Sequence, residues 1–552
     1  MLSKGLGVFA KGAGLLIILI FLFAVWRYYT TSGFGKDYPS GGRLTPAQKA
    51  MDITAYDFDI YPHPENQSLR ITLRVDFRFP QNIPDTLLFD FIDGYDIVSL
   101  RFDQKPVTDY SYHNNRLSWR MPASAKSKRN HYIVIRYGGV PPRAKQAPWR
   151  GGFVWKTDRA DSTWLTLACQ GEGGKIWFPT KDTQTDKPDS LTLRITVPKP
   201  YMAPATGRLL AVDTLRDSLR YQWKSRYPVS TYGINFGVGR YTALRDTLHS
   251  KRPQTVPVIF YSLIGDTAKN RFLLKHLKQL THVFEPLFGP YPWPDDKLAA
   301  MQTPYLGMEH QTLNAYGNRH HYRRIGGHTI DFLMLHELAH EWWGNFISTA
   351  DWADFWLHEG FATYSEALYV EQVAGKEAYL DYMREKMHSI RNHAPIIAGK
   401  NLSTTEAYNG DVYNKGAAFL HSLRFVLGDS LFKNMLYHWA TDSTTRGGKT
   451  VVTADFLKHV NRYTPAPQDS LFHFFLNTTR RLEFQVDSVT TNRYRVLVPG
   501  IRFPLPLQVG TSAGIQKLTI PPGGLIIASN GYPVIDPEDW YYKKETLYTW
   551  QK

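Results

Sequence analysis

Between Leu69 and Phe79 the chain alternates without a break. Leu69, Ile71, Leu73, Val75, Phe77 and Phe79 are apolar; Arg70, Thr72, Arg74, Asp76 and Arg78 between them are polar. A period of two sends alternate side chains to opposite faces and predicts a half-buried strand. Leu191, Leu193, Ile195 and Val197 repeat the pattern. Residues 42–245 therefore read as an N-terminal all-β domain. From about residue 268 the period becomes helical, with Phe272, Leu273, Leu277, Leu280 and Phe284 on one stripe. Helical patterns dominate to about residue 480, so 246–481 reads as a mainly α domain. Strand patterns return in "RLEFQV", "YRVLV", "LPLQV" and "GLIIAS", and 482–552 reads as a short C-terminal β domain. The stretch 30–50 is polar and rich in Gly and Ser, which predicts a linker.

The first 41 residues add an anchor to that linker. Gly12–Trp26 is an uncharged, mostly large apolar run, preceded by Lys4 and Lys11 and followed by Arg27, Tyr28 and Tyr29. It is short for a bilayer crossing, which takes about 20 residues, but the flanking Lys, Arg and aromatic residues can extend it at the interface. No small-x-small cleavage site follows it. The sequence thus favours an uncleaved N-terminal membrane anchor with the catalytic region outside the cytoplasm over a signal peptide that releases a secreted or periplasmic protein.

The 552 residues exceed one core, and an ordinary balance of 43 % hydrophobic to 21 % charged residues excludes a disordered chain. A net charge of +16 raises nucleic acid as a partner. No zinc knuckle or nucleic-acid signature accompanies it, so the charge reads as a diffusely basic surface. The single cysteine, Cys169, rules out an internal disulfide.

The chemistry sits in "LHELAHEWWGN", Leu335–Asn345. On a helix, His336 and His340 share one face a turn apart, and Glu337 lies beside them without being a ligand. Asp331 suits the N-cap, and Leu333, Leu338 and Ala339 suit the core side. A catalytic zinc takes three protein ligands and leaves a fourth position open. The next helical pattern supplies Glu359, with 18 residues between it and His340. Glu366, two turns further, can hydrogen-bond a ligand imidazole. The neighbouring His310, His320, His321, His328 and His358 read as surface or supporting residues.

"HELAHEWWGN" followed by "WLHEGFATY" at that spacing resembles the aminopeptidase N family of zinc metallopeptidases, the gluzincins. "FEPLFGPYPWP", "YLGMEHQT", "YNKGAAFL" and "CQGEGGKIWFPTKD" resemble further family segments. The resemblance implies a saddle- or sandwich-like N-terminal β domain and a thermolysin-like catalytic domain. It implies one Zn2+ held by His336, His340 and Glu359, with Glu337 as general base and Tyr413 as oxyanion donor. Glu309 and Gln170, with Gly307 and Met308, would bind the substrate's N-terminus. The function so implied is hydrolysis of the N-terminal bond of peptides. The alternative is an inactive membrane-anchored peptide-binding or scaffold protein of the same fold. Leu306 and His310 depart from the family's G-x-M-E-N pattern, and His358 stands where Asn is usual. The short C-terminal part implies a more open cleft than in relatives roofed by a helical domain.

Overall fold

The computed structural model describes residues 35, 37–250, 254–442 and 450–549. Strand β1 (Asp52–His63) pairs antiparallel with β2 (Ser68–Arg78) and parallel with Ser190–Pro198, at the centre of an eight-stranded sheet. The alternation is expressed as read. Leu69, Ile71, Leu73, Val75 and Phe77 are buried, while Arg70, Arg74 and Arg78 are exposed. Asp59 on the outer face pairs with Arg194 at 3.0 Å and Arg220 at 2.8 Å. Partly exposed pairs of this kind contribute about 0–1 kcal/mol each, so the apolar face carries the sheet.

Strand β3 (Tyr241–His249) joins a different sheet. It pairs with β4 (Thr255–Leu263), and the five-stranded order continues through Leu298–Gln302 and Asn314–Tyr316 to Gly307–Met308 at the edge. The 245/246 boundary falls inside β3. Alternation identifies a strand but not the sheet it enters.

Helices follow. Helix α1 (Thr267–Phe288) buries Leu273, Leu277, Leu280 and Phe284. Helix α2 (Phe332–Ala339) carries the histidine motif, and α3 (Trp356–His388) is broken at Gly375, whose φ of 85° is open to glycine at little cost. Helix α4 is Asp411–Leu427. Among the described residues α3 and α4 form the most extensive helix pair. They meet backbone to backbone: a Cβ on Gly416 would lie 2.9 Å from the Gly360 Cα, and one on Gly360 would lie 3.0 Å from the Gly416 Cα. Small sheets of strands such as Gln485–Thr490, Arg493–Leu497 and Leu505–Thr511 follow the helices. One continuous apolar cluster runs through all these parts.

Two expectations are corrected. The stretch read as a linker is fixed in place where it is described: the Ser40 N–H donates to Thr404 Oγ1 at 3.0 Å, and its hydroxyl donates to Asp182 at 2.9 Å. Small polar residues suit a buried hydrogen-bonded strap as well as a solvated linker, and composition does not separate the two. Membrane anchoring, with its extracytoplasmic placement, is withdrawn. No helix among the described residues is long and apolar enough to cross a membrane, and the apolar run Gly12–Trp26 lies outside the described residues.

The glycine contact between α3 and α4 leaves no room for a side chain. Gly416→Ala should cost about 1–3 kcal/mol, as overpacking does, and lower the denaturant midpoint accordingly. An unchanged midpoint would show that the helices can separate freely.

Candidate metal centre

Helix α2 starts where the sequence places it. The Asp331 carboxylate accepts from the Met334 N–H at 3.0 Å, capping the helix, and Leu338 and Ala339 are buried. Leu333 instead faces the cleft. The helix ends at Ala339, and His340 keeps one more turn through its N–H to the His336 carbonyl. The two imidazoles therefore share a face, with Nε2 atoms 3.1 Å apart.

Each ring is aimed by its other nitrogen. His340 Nδ1–H donates to the Trp343 carbonyl at 2.7 Å, and His336 Nδ1 lies 2.8 Å from Glu366 Oε1. Glu359, on the first turn of α3, brings Oε2 to 3.1 Å from His336 Nε2 and 3.4 Å from His340 Nε2. Three donors thus form a nearly equilateral triangle with edges of 3.1, 3.1 and 3.4 Å. A tetrahedral zinc with bonds of about 2.0–2.1 Å spans ligand separations of about 3.3–3.4 Å. The residues fit the ion in donor type, in spacing and in the acceptors behind each imidazole.

The electrostatics agree. Burial raises the Glu359 carboxyl, but the two histidines outweigh it and hold it well below its ordinary value. Burial works against protonated His340, yet Glu359 prevails and lifts it to about 9. Glu359 and Glu366 together raise His336 in the same way against its burial. Ligands bind a cation in their deprotonated form, so metal binding here competes with protonation of the imidazoles.

Further carboxylates crowd the same cleft of ≈ 420 Å³. Glu337 is 6 % exposed, and burial pushes it up to about 8 against the pull of both histidines. A Cβ on Gly307 would lie 2.2 Å from Glu337 Oε1, so the edge strand runs close against the tip of this carboxylate. Glu309 is buried and raised, chiefly by burial. Its Oε1 accepts from the Gln170 amide and, at 3.1 Å, from the Tyr232 hydroxyl. Ligand atoms of Glu309, Glu337 and His340 lie within 4.8 Å of one another. Met308 and Gly307 line the wall beside them. Tyr413, on the first turn of α4, stacks near His336 with ring centroids 5.9 Å apart. Burial, then Glu359, keeps its phenol protonated well above the ordinary range.

The structure thus brings together every residue singled out for the site. His310 and His358 are fully buried rather than exposed. His310 Nδ1 meets the Asn235 amide at 2.6 Å, and His358 Nε2 accepts the Thr349 N–H at 2.9 Å behind His340. Sequence reading missed Tyr232, Trp149, Tyr408 and Lys386, which carry no motif. Tyr232 is one of 33 tyrosines, and only its contact with Glu309 distinguishes it.

Comparison with known proteins bears on this geometry. Residues 272–475 match the peptidase family M1 domain. The chain is 25 % identical over 305 residues to leucine aminopeptidase 2 of Aspergillus niger, covering 52 % of this chain and 47 % of that protein. It is 24 % identical over 366 residues to mouse aminopeptidase B, covering 63 % and 52 %. Protein TMA108 of Saccharomyces cerevisiae is 25 % identical over 403 residues, covering 66 % and 42 %. The chain spans about half the length of these relatives. The solved M1 zinc metallopeptidase of Deinococcus radiodurans aligns with a TM-score of 0.66 at 22 % identity, covering 80 % of this chain and 96 % of that one. A variant of that protein was solved with a Tyr-Ser-Ala substrate. Donor set and relatives together imply Zn2+ as the cofactor.

Metal uptake should release protons at pH 7. Ligands bind deprotonated, and His340 loses its proton only near 9, so zinc affinity should climb about tenfold per pH unit per displaced proton between pH 7 and 9. Calorimetry in buffers of different ionisation enthalpy measures this, and a pH-independent affinity would contradict it. Glu366→Ala should weaken zinc binding about 10–100-fold by freeing the His336 ring. Retention of full affinity would show that Glu366 does not orient the ligand.

Proposed function

We propose that this chain, whose residues 272–475 match the peptidase family M1 domain, is a zinc-dependent aminopeptidase hydrolysing the N-terminal bond of peptides. The observation that carries this reading is the buried Glu309 carboxylate beside the donor triangle, within 4.8 Å of His340 and Glu337. A substrate's α-ammonium has a pKa near 8, and a desolvated carboxylate pairs with it strongly. Glu309, held by Gln170 and Tyr232, fixes that ammonium, so the bond presented next to His336, His340 and Glu359 is the first of the chain. An internal peptide segment has no such charge, which argues against an endopeptidase.

Zinc held by His336, His340 and Glu359 would supply a Lewis acid for the scissile carbonyl and for water. Glu337 takes the proton of the attacking water and later passes it to the leaving amine. Its raised affinity for a proton suits both halves of that task. Tyr413 donates its hydroxyl hydrogen to the carbonyl oxygen as negative charge gathers there. Glu366 holds His336 in place. Gly307 and Met308 form the wall against which the first side chain lies. Peptides are the substrate class, as the Tyr-Ser-Ala substrate of the Deinococcus radiodurans protein suggests.

Chelator-sensitive hydrolysis of aminoacyl-naphthylamides by the zinc-loaded protein is the direct test, and none at stoichiometric zinc would favour an inactive binding protein. Tyr413→Phe should keep its zinc and lose about 10²–10³ in kcat, the cost of one oxyanion donor; near wild-type turnover would remove Tyr413 from the mechanism. Glu309→Ala should lower kcat/KM on aminoacyl substrates by about 10–150-fold, the span of a charged hydrogen bond. Unchanged kinetics would place the recognition of the chain end elsewhere.

A further inference from the structure

Among the described residues lining the cleft, Lys386 is the one charged group that the proposed reaction leaves without a task. It sits on the part of α3 beyond the Gly375 break, where Tyr382 stacks on Phe332 at the start of α2 with centroids 5.1 Å apart. The Lys386 ammonium lies 4.9 Å from the Tyr382 ring centroid and 2.9 Å from Glu366 Oε2. Its side chain is 21 % exposed and lines the same cleft as the donor triangle.

A structural role alone does not account for this placement. Glu366 already accepts from the Tyr382 hydroxyl and lies 2.8 Å from His336 Nδ1, so its orientation is fixed without a third donor. One carboxylate charge shared among three donors neutralises the ammonium incompletely. An ammonium has three N–H groups, and among the described residues Glu366 is the only ion-pair partner found for Lys386. The nearby Arg323 differs, because Glu385 holds it through two bonds of 2.9 and 2.8 Å.

Position decides what Lys386 meets. Glu309 adjoins His340 and Glu337, whereas Lys386 reaches the centre through Glu366 on the His336 side. The two charges flank the histidine pair. On the reading in which Glu309 holds the substrate ammonium, which this inference rests on, the leaving peptide emerges on the Lys386 flank. An extended chain advances about 3.3–3.6 Å per residue, so the groups arriving there belong to the first residues after the cleaved bond.

We infer that Lys386 is a specificity-determining residue that binds a carboxylate of the leaving peptide. Two sources present that group close to the scissile bond: the C-terminal carboxylate of a dipeptide, or the side chain of an acidic second residue. The cleft is then charged at both ends, acidic at Glu309 and basic at Lys386, and favours short or acidic peptides carrying the opposite polarity.

Two substrate pairs test this on the full zinc-loaded chain: leucyl-alanine against leucyl-alanine amide, and leucyl-aspartyl-alanine amide against leucyl-asparaginyl-alanine amide. The wild-type protein should prefer the carboxylate member of at least one pair by about tenfold in kcat/KM, a modest charged hydrogen bond at a partly exposed site. The pair that shows it names the source. Lys386→Met should bring that ratio to about one and Lys386→Arg should keep it, whatever the absolute rates. Zinc content is measured on each variant. A wild-type ratio near one in both pairs overturns the inference. So does a ratio that persists in Lys386→Met, and an equal loss on all four substrates with reduced zinc would then assign Lys386 to the support of Glu366. No hydrolysis of any of the four by the wild-type protein would overturn the aminopeptidase reading itself, and this inference with it.

Discussion

The site depends on two backbones touching. Gly360 and Gly416 let α3 and α4 approach until a single methyl group on either would collide with the other. Glu359 precedes the first glycine by one residue, and Tyr413 precedes the second by three. Each lies on the opening turn of its helix, so the close approach sets how far both side chains reach toward His336 and His340. Lys415, within α4, ties that helix to the segments beyond it, donating to the Thr478 carbonyl at 2.7 Å and to Asn392 at 2.8 Å. Helices held this rigidly give ligand positions a precision that loops do not.

Around that contact the fold gathers an unusual charge. Glu309, Glu337, Glu359 and Glu366 are all nearly buried, against two imidazoles and one lysine. Isolated carboxylates are costly to desolvate. A divalent cation among them turns this cost into attraction. The buried acidic pocket and the aimed imidazoles are one arrangement with one electrostatic logic.

Much of this was legible along the chain, for identifiable reasons. His336, His340 and Glu337 follow from helical period alone, and the Asp331 cap follows from its chemistry. Glu359 needed only a spacing and a second helix. Gln170 and Glu309 are 139 residues apart, and their pairing was reachable only through family resemblance. Tyr232 and Lys386 were not reachable, because a lone tyrosine or lysine carries no local pattern and acquires meaning only from what the fold sets opposite it. The same limit explains the strand Tyr241–His249, whose alternation is plain but whose partner sheet is a tertiary choice. It also explains Ser40, whose polarity suited solvent while the fold buried it.

The account stands on three donors closing on one ion. Anomalous diffraction at the zinc edge from the zinc-loaded protein measures this directly. A single strong peak is expected about 2.0–2.2 Å from His336 Nε2, His340 Nε2 and a Glu359 carboxylate oxygen. A peak at some other group of side chains, or none at stoichiometric zinc, would contradict it.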